Sequence, residues 1–298
     1  MATTTSSTEA GSPLILVTGA TGNVGSELVG QLVRAGVQVR ALVRSAEANL
    51  PTSVHLAVGD LNVPDSVAPA LEGVSGMFLL SGYRDLPALL KHARDAEVER
   101  VVLLSGGSAV ASNVENAISR YMLDSEEAVR GSGLAWTILR PFAFMSNALR
   151  WLPQLRAGDL VKLPFAGIAN AVIDPHDIAR VAAAALLDRG HDGQAYRLSG
   201  PESLLPADQV RVLAAVLDRP LRSEPQSAQE ARAEMSANMP GEYVAAFFSF
   251  YVDGTLDESQ VIATVEKITG ERPRTFEQWA RLHADAFRSA TAAERIAS

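Results

Sequence analysis

The chain contains no cysteine, so no disulfide, thiolate nucleophile or iron–sulfur cluster can form. Lysine is almost missing: Lys91, Lys162 and Lys267 are the only three among 298 residues. None follows the glycine-rich loop near the N-terminus, which excludes a P-loop that hydrolyses nucleoside triphosphates. No G-x-S-x-G elbow is present either. The histidines (His55, His92, His176, His191 and His283) are scattered without metal-site spacing such as H-E-x-x-H, and no metal is expected. His176, in Asp174-Pro-His-Asp177, reads as a structural residue at a helix start that Asp177 caps. No run approaches the roughly 18 apolar residues of a membrane span. Met1 to Ser12 is rich in Ser and Thr and lacks the basic and apolar regions of a leader, so it reads as a disordered tail of a cytoplasmic protein.

The net charge of −8 argues against a nucleic-acid face or an anionic membrane surface as partner. With 47% hydrophobic and 20% charged residues the composition is globular. A chain of 298 residues can bury one large core, or a core plus a smaller lobe.

The most informative stretch is Leu14-Ile-Leu-Val-Thr-Gly-Ala-Thr-Gly-Asn-Val-Gly25, followed by an amphipathic segment from Ser26 to Ala35. A buried parallel strand runs into a glycine-rich turn and then a helix. Gly19 permits the tight turn, Gly22 lets backbone approach a diphosphate, and Gly25 lets helix pack on strand. Thr21, Asn23 and Val24 complete the loop. The helix N-terminus offers N–H groups and partial positive charge to phosphates. The bland reading is a tight turn with no ligand. The G-x-x-G-x-x-G spacing resembles the short-chain dehydrogenase/reductase superfamily, extended or atypical branch.

An NAD-reading fold carries an acid about 20 residues past the glycines, at the end of the second strand. Here that position holds Arg44, with Arg40 in the same strand and Ser45 alongside. A carboxylate repels a 2′-phosphate and a guanidinium forks onto it, so NADPH is expected in preference to NADH.

Apolar strands are predicted at Leu14–Thr18, Val37–Val43, Val54–Val58, Met77–Leu80, Val101–Leu104 and Trp136–Leu139. Helices are predicted at Val24–Ala35, Pro64–Leu71, Leu86–Ala96, Asn116–Gly131 and Pro175–Leu187. This alternation predicts an α/β Rossmann-type fold, a doubly wound parallel sheet covered on both faces. Ligands bind at the carboxyl ends of such strands. Asp60 and Leu61 follow the third strand, where they meet an adenine or form a capping turn. Ser81 and Gly82 follow the fourth, and Ser105, Gly106, Gly107 and Ser108 follow the fifth. Pro141 and Phe142 follow the sixth and put apolar surface beside a nicotinamide.

Thr137-Ile-Leu-Arg-Pro-Phe-Ala-Phe-Met-Ser-Asn147, with the Gly19–Gly25 loop, resembles the NmrA-like group of atypical short-chain dehydrogenases. Leu42-Val43-Arg44, Gly59-Asp60-Leu61, Asp177-Ile178-Ala179 and the segment from Thr269 to Phe276 match as well. The resemblance spans most of residues 13–285. It implies a quinone, azo-dye or carbonyl reductase, or a regulator that binds the dinucleotide without turnover. Most of the superfamily carries Tyr-x-x-x-Lys on the helix after the fifth strand. Here that helix reads Tyr121-Met-Leu-Asp-Ser125, and Gly107 stands where the partner serine falls. Without the cation Tyr121 keeps its ordinary pKa of about 10 and stays a protonated phenol at neutral pH. It is a catalytic candidate with Ser105 and Ser108, or a packing residue on the helix face.

The dinucleotide-binding core is expected over 13–145, with about 170–200 returning to it, and a substrate lobe over 146–298. Short strands are predicted in the lobe at Leu160–Leu163 and Ala195–Leu198. Helices are predicted near Pro206–Leu217, Ala228–Ser236, Gly241–Val252, Asp257–Ile268 and Thr275–Phe287, with a polar linker or edge over Pro220–Ser227. Tyr243, Phe247 and Tyr251 recur every four residues and share a face. They form either a stacking surface opposite Phe142, Phe144 and Met145, with Asn147 in the same pocket, or ordinary core. The expected activity is NADPH-dependent hydride transfer to a ketone or quinone carbonyl of an apolar, polycyclic aromatic small molecule, by a monomer or homodimer. The rival is a non-catalytic NADP(H) sensor, and a third possibility is isomerase or epimerase chemistry with tightly held cofactor.

Overall fold

In the computed structural model, which describes residues 12–288, the expected tail lies outside the described residues except for Ser12. The first half of the chain runs β1 Leu14–Thr18, α1 Asn23–Arg34, β2 Gln38–Val43, β3 His55–Val58, α2 Pro64–Val67, β4 Gly76–Leu80, α3 Leu86–Asp95, β5 Arg100–Leu104, α4 Ala117–Arg130 and β6 Ala135–Pro141. The second half runs α5 Leu152–Ala157, β7 Leu160–Leu163, α6 Pro175–Leu187, β8 Gln194–Leu198, α7 Pro206–Leu217, β9 Arg222–Pro225, α8 Ala228–Asn238, α9 Gly241–Tyr251, α10 Thr264–Thr269 and α11 Phe276–Leu282. Seven strands form one parallel sheet in the order β3-β2-β1-β4-β5-β6-β8. This is the doubly wound α/β arrangement, in which chain order reverses between β1 and β4.

The inner strands read as nearly continuous apolar runs because both faces are covered. On one face Ile15, Val17, Phe78, Val102 and Leu139 pack against α1 and α6 through Leu28, Leu32, Ile178 and Ala182. On the other, Leu16, Met77, Leu79, Leu103 and Ile138 meet α3 and α4 through Leu89, Leu90 and Val129. A third core, with Met145, Leu155, Val161, Leu213, Phe276 and Trp279, builds the C-terminal region. Among the described residues no helix is long and apolar enough to cross a membrane.

Three segments differ from the sequence reading. The expected linker Pro220–Ser227 contains β9, which pairs in parallel with β7. Its polar sequence hides a strand because this small edge is paired on one side only. The helix expected over Asp257–Ile268 shrinks to α10. Glu258 turns inward instead, and its carbonyl accepts the Ala171 N–H (2.7 Å). At the start of α6 the cap is Asp174, not Asp177: Asp174 Oδ1 accepts the His176 N–H (2.9 Å). Asp177, fully buried, accepts the Arg274 N–H (2.7 Å) and so pins the late segment to α6.

One buried carboxylate ties α4 to the ends of β5 and β6. Glu126, with no exposed side-chain surface, accepts hydrogen bonds from Ser105 Oγ (2.7 Å), Arg140 Nε (2.8 Å), Arg140 Nη2 (2.5 Å) and Arg130 Nη2 (2.7 Å). Burial raises its pKa, but Arg140, Ser105 and Arg130 together outweigh burial and hold it below the usual value. Glu126→Ala strands Arg140 and is expected to destabilise the fold by about 3–5 kcal/mol in urea denaturation. A depressed carboxylate gives stability that is complete above the unfolded value of about 4.3 and fades as pH falls through the folded value. Glu126→Gln should therefore flatten that acidic limb of the stability profile.

Candidate active site

The glycine loop sits at the carboxyl end of β1. Gly19 has φ of +61°, in the left-handed region, and its carbonyl accepts the Gly22 N–H (2.9 Å). The tightest steric demand falls on Gly25, where a Cβ would lie 2.1 Å from the Gly19 oxygen; at Gly22 that distance is 3.2 Å. No side chain caps α1, so its first-turn N–H groups lack protein partners. Thr21 and Gly22 are exposed at the tip, while buried Val24 and Gly25 can contribute backbone only. Asn23 Nδ2 donates to Ser146 Oγ (3.2 Å), which fastens the loop to the chain after β6. An exposed, uncapped helix start behind small residues fits a diphosphate.

Arg44, exposed at the end of β2, makes no hydrogen bond or ion pair among the described residues. Arg40 is not its partner: its Nη1 donates to the carbonyls of Ala70 (2.8 Å) and Glu72 (2.6 Å). Asp60 Oδ1 accepts the Asn62 N–H (2.9 Å) in a side-chain-closed turn. The side chain of Leu61 is buried in the core, leaving only its backbone for a base.

At the end of β4, Gly82 adopts φ of +89°, and a Cβ there would lie 3.2 Å from the Tyr121 ring. The Gly82 N–H donates to Ser125 Oγ (3.0 Å), and Ser125 Oγ donates to the Tyr121 carbonyl (2.7 Å). The residue in the superfamily's lysine position is thus a buried clamp between α4 and β4. Ser81 Oγ contacts Met122 Sδ at 3.1 Å. Burial, and then the neighbouring Tyr243, raises the Tyr121 phenol above its ordinary value. Ser105 has committed its hydroxyl proton to Glu126. Ser108, also buried, has no side-chain hydrogen bond among the described residues. Gly106 lies against Met122.

Pro141 ends β6. Phe142, expected beside a nicotinamide, is 1% exposed, and the Arg197 guanidinium lies 4.9 Å from its ring centroid. Its N–H is already given to the Leu198 carbonyl (2.9 Å). Met145, expected in the substrate pocket, is likewise 1% exposed and belongs to the third core. Apolar side chains that follow a buried strand were drawn inward here. Phe144 is half-buried and Asn147 is exposed.

The aromatic row of α9 is half-buried. Phe247 and Tyr251 stack at 6.3 Å with an interplanar angle of 19°, and Tyr251 meets Phe165 at 5.2 Å. Burial pushes the Tyr251 phenol strongly upward. A cavity of about 680 Å³ separates α9 from α4, with Tyr121 and Tyr243 in its wall beside Asn113, Arg120, Glu242 and Asp253.

Sequence reasoning missed Glu258. It is 5% exposed, and its Oε2 accepts the Ala143 N–H (3.0 Å) across a separation of 115 residues. Burial pushes its carboxyl up to about 7, against the pull of that N–H and of Arg197. No motif could have found it, because its partners are backbone atoms remote in the chain. Glu126, adjacent to Ser125 and 14 residues before Arg140, had a local signal: a carboxylate on the inner side of an amphipathic helix.

Residues 19–189 match the family model described as NAD(P)H-binding. Across 280 residues the chain is 38% identical to a (4-alkanoyl-5-oxo-2,5-dihydrofuran-3-yl)methyl phosphate reductase of Streptomyces griseus, covering 92% of this chain and 99% of the relative. It is 35% identical over 289 residues to an NAD(P)H azoreductase of Xenophilus azovorans, covering 93% of this chain and all of that protein. An NADPH-dependent quinone oxidoreductase of Escherichia coli, solved with NADPH, superimposes with a TM-score of 0.75 at 20% identity, over 89% of this chain and 98% of that one, and so shares the fold. The chain belongs to the NAD(P)H-binding family, with the NmrA-like fold of atypical short-chain reductases, and it is an oxidoreductase.

Proposed function

We propose that the protein is an NADPH-dependent reductase that delivers hydride to a ketone or quinone carbonyl of an apolar, polycyclic aromatic small molecule. The cavity between α4 and α9, where Tyr121 and Tyr243 share one wall, carries this reading; Phe247 lies outside it, and Tyr251 lines a second cavity with Phe165. The Tyr121 ring in its wall packs against Gly82 at the carboxyl edge of the sheet, and the Tyr121 and Tyr243 rings offer flat surface for stacking. Bound reduced dinucleotide supplies the hydride. The N–H groups at the start of α1 hold its diphosphate, with Arg44 at the 2′-phosphate and Asp60 and Leu61 at the adenine. Backbone at Ser81, Gly82, Ser105 and Gly106 and the turn at Pro141 line the path toward the cavity. Tyr121 donates a hydrogen bond to the carbonyl as a neutral phenol, and positioning in a cleft sheltered from water contributes most of the rate. Purified protein should oxidise NADPH when given a panel of quinones and aromatic ketones. Binding of NADP(H) without oxidation against every compound would favour a sensor instead.

Arg44 is exposed, so its contact with a 2′-phosphate sits at the low end of charge-assisted hydrogen bonds, about 1.5 kcal/mol or roughly tenfold in affinity. Calorimetry should show NADPH binding about tenfold tighter than NADH in the wild type, and Arg44→Ala should erase the difference. Equal affinities in the wild type would sink the assignment.

Tyr121 lacks a tuning cation and is raised by its surroundings, so it is not a matched acid at neutral pH. Stopped-flow single turnover with saturating NADPH should place Tyr121→Phe within about tenfold of wild type, below the 10²- to 10⁴-fold of a positioned acid. A thousandfold loss with unchanged cofactor affinity would identify Tyr121 as the acid.

A further inference from the structure

Gly107, at the carboxyl end of β5, has no side chain, yet the space beside it is filled. A Cβ built there would lie 2.3 Å from Glu258 Oε1 and 3.3 Å from Phe142 Cδ1. A carboxyl group from the segment after α9 therefore stands where a short-chain reductase would present its serine. Glu258 Oε2 is fixed by the Ala143 N–H, two residues past the end of β6. Oε1 has no hydrogen-bond partner among the described residues. A second unsatisfied group borders the same ring: Arg197 Nε on β8 is buried without a partner, and its guanidinium lies over Phe142. Buried polar atoms are nearly always paired, so the buried, unpartnered Arg197 Nε and the uncommitted Glu258 Oε1 beside one ring mark a place for a polar atom of a ligand.

We propose that Glu258 is the proton donor of the carbonyl reduction. The inference rests on the reductase reading above. The reduced nicotinamide dinucleotide supplies two electrons and a hydrogen to the carbonyl carbon. The Glu258 O–H bond breaks, its proton goes to the carbonyl oxygen to complete the product hydroxyl, and water returns a proton to the carboxylate.

The surroundings keep this acid protonated where it is needed. Burial is the largest influence and raises the carboxyl, Asp257 next to it raises it further, and the Ala143 N–H and Arg197 lower it, leaving it at about 7. Tyr251 faces it from α9 as a neutral phenol, itself raised by burial and by Glu258. No titratable group faces Glu258 from the turns at Gly107 and Ala143. An acid with its pKa near the working pH balances proton availability against willingness to donate.

The test compares wild type with Glu258→Gln and Glu258→Asp. Infrared pH titration should show a carboxylic C=O band in the wild type that disappears near pH 7 and is absent from Glu258→Gln. Single-turnover reduction of a quinone or aromatic ketone by wild type should fall about tenfold per pH unit above 7. Glu258→Gln should lose about 10²- to 10⁴-fold and become independent of pH, with NADP⁺ affinity and thermal transition near wild type. Glu258→Asp should keep the pH dependence at a lower rate, which tests the same point if Glu258→Gln folds poorly. A Glu258→Gln variant that retains wild-type rate and pH profile overturns the inference while leaving the reductase reading intact. A wild type that reduces no carbonyl compound overturns both.

Discussion

The carboxyl edge of the sheet depends on one buried ion cluster. Glu126 reaches from α4 to Ser105 after β5 and to Arg140 in β6, with Arg130 closing the cluster from its own helix. Strand pairing alone sets the spacing of β5 and β6 but not the course of the turns beyond them. A carboxylate with every lone pair engaged fixes those turns, because moving either one would expose an unpaired charge in a region of low polarity. The turns at the ends of β5 and β6 are thus positioned by a residue with no exposed side-chain surface.

The same economy governs the absent lysine. In the superfamily that residue tunes a tyrosine and holds a ribose. Here Ser125 is buried at the position and spends its hydroxyl on Gly82 and on the Tyr121 carbonyl. A serine closes this junction at a distance that a lysine stem would overshoot. Burial and the neighbouring Tyr243 raise Tyr121 rather than lower it. Proton handling is therefore assigned, in the proposed mechanism, to a group that approaches from the other side of the strand ends.

That group comes from a late stretch of chain returned to the sheet by polar anchors. Arg274 meets Asp177 and Asp174 at the start of α6, and Glu258 meets Ala143 and Ala171. These contacts replace helix over residues 257–263 with irregular backbone, since a carboxylate and a carbonyl aimed into the core cannot lie on one exposed helical face. Apolar periodicity predicts helix there because Val261, Ile262 and Val265 are suitably spaced. The pattern carries no information about the anchors that override it.

The sequence by itself determined the doubly wound sheet, the positions of its first six strands along the chain, and the glycine loop that opens a helix. Each is encoded locally, by an apolar run, a glycine at positive φ or a 3.6-residue period. It also determined that a lysine-tuned tyrosine is absent. Tertiary structure alone decided which side chains at the strand ends are open: Phe142 and Met145 turned into cores, and Arg40 was claimed by carbonyls near α2. It alone hid a strand in the polar segment Arg222–Pro225 and brought Glu258 to Gly107. These outcomes rest on contacts between residues far apart in the chain. Such contacts leave no local period or spacing, because their geometry exists only once the sheet has assembled.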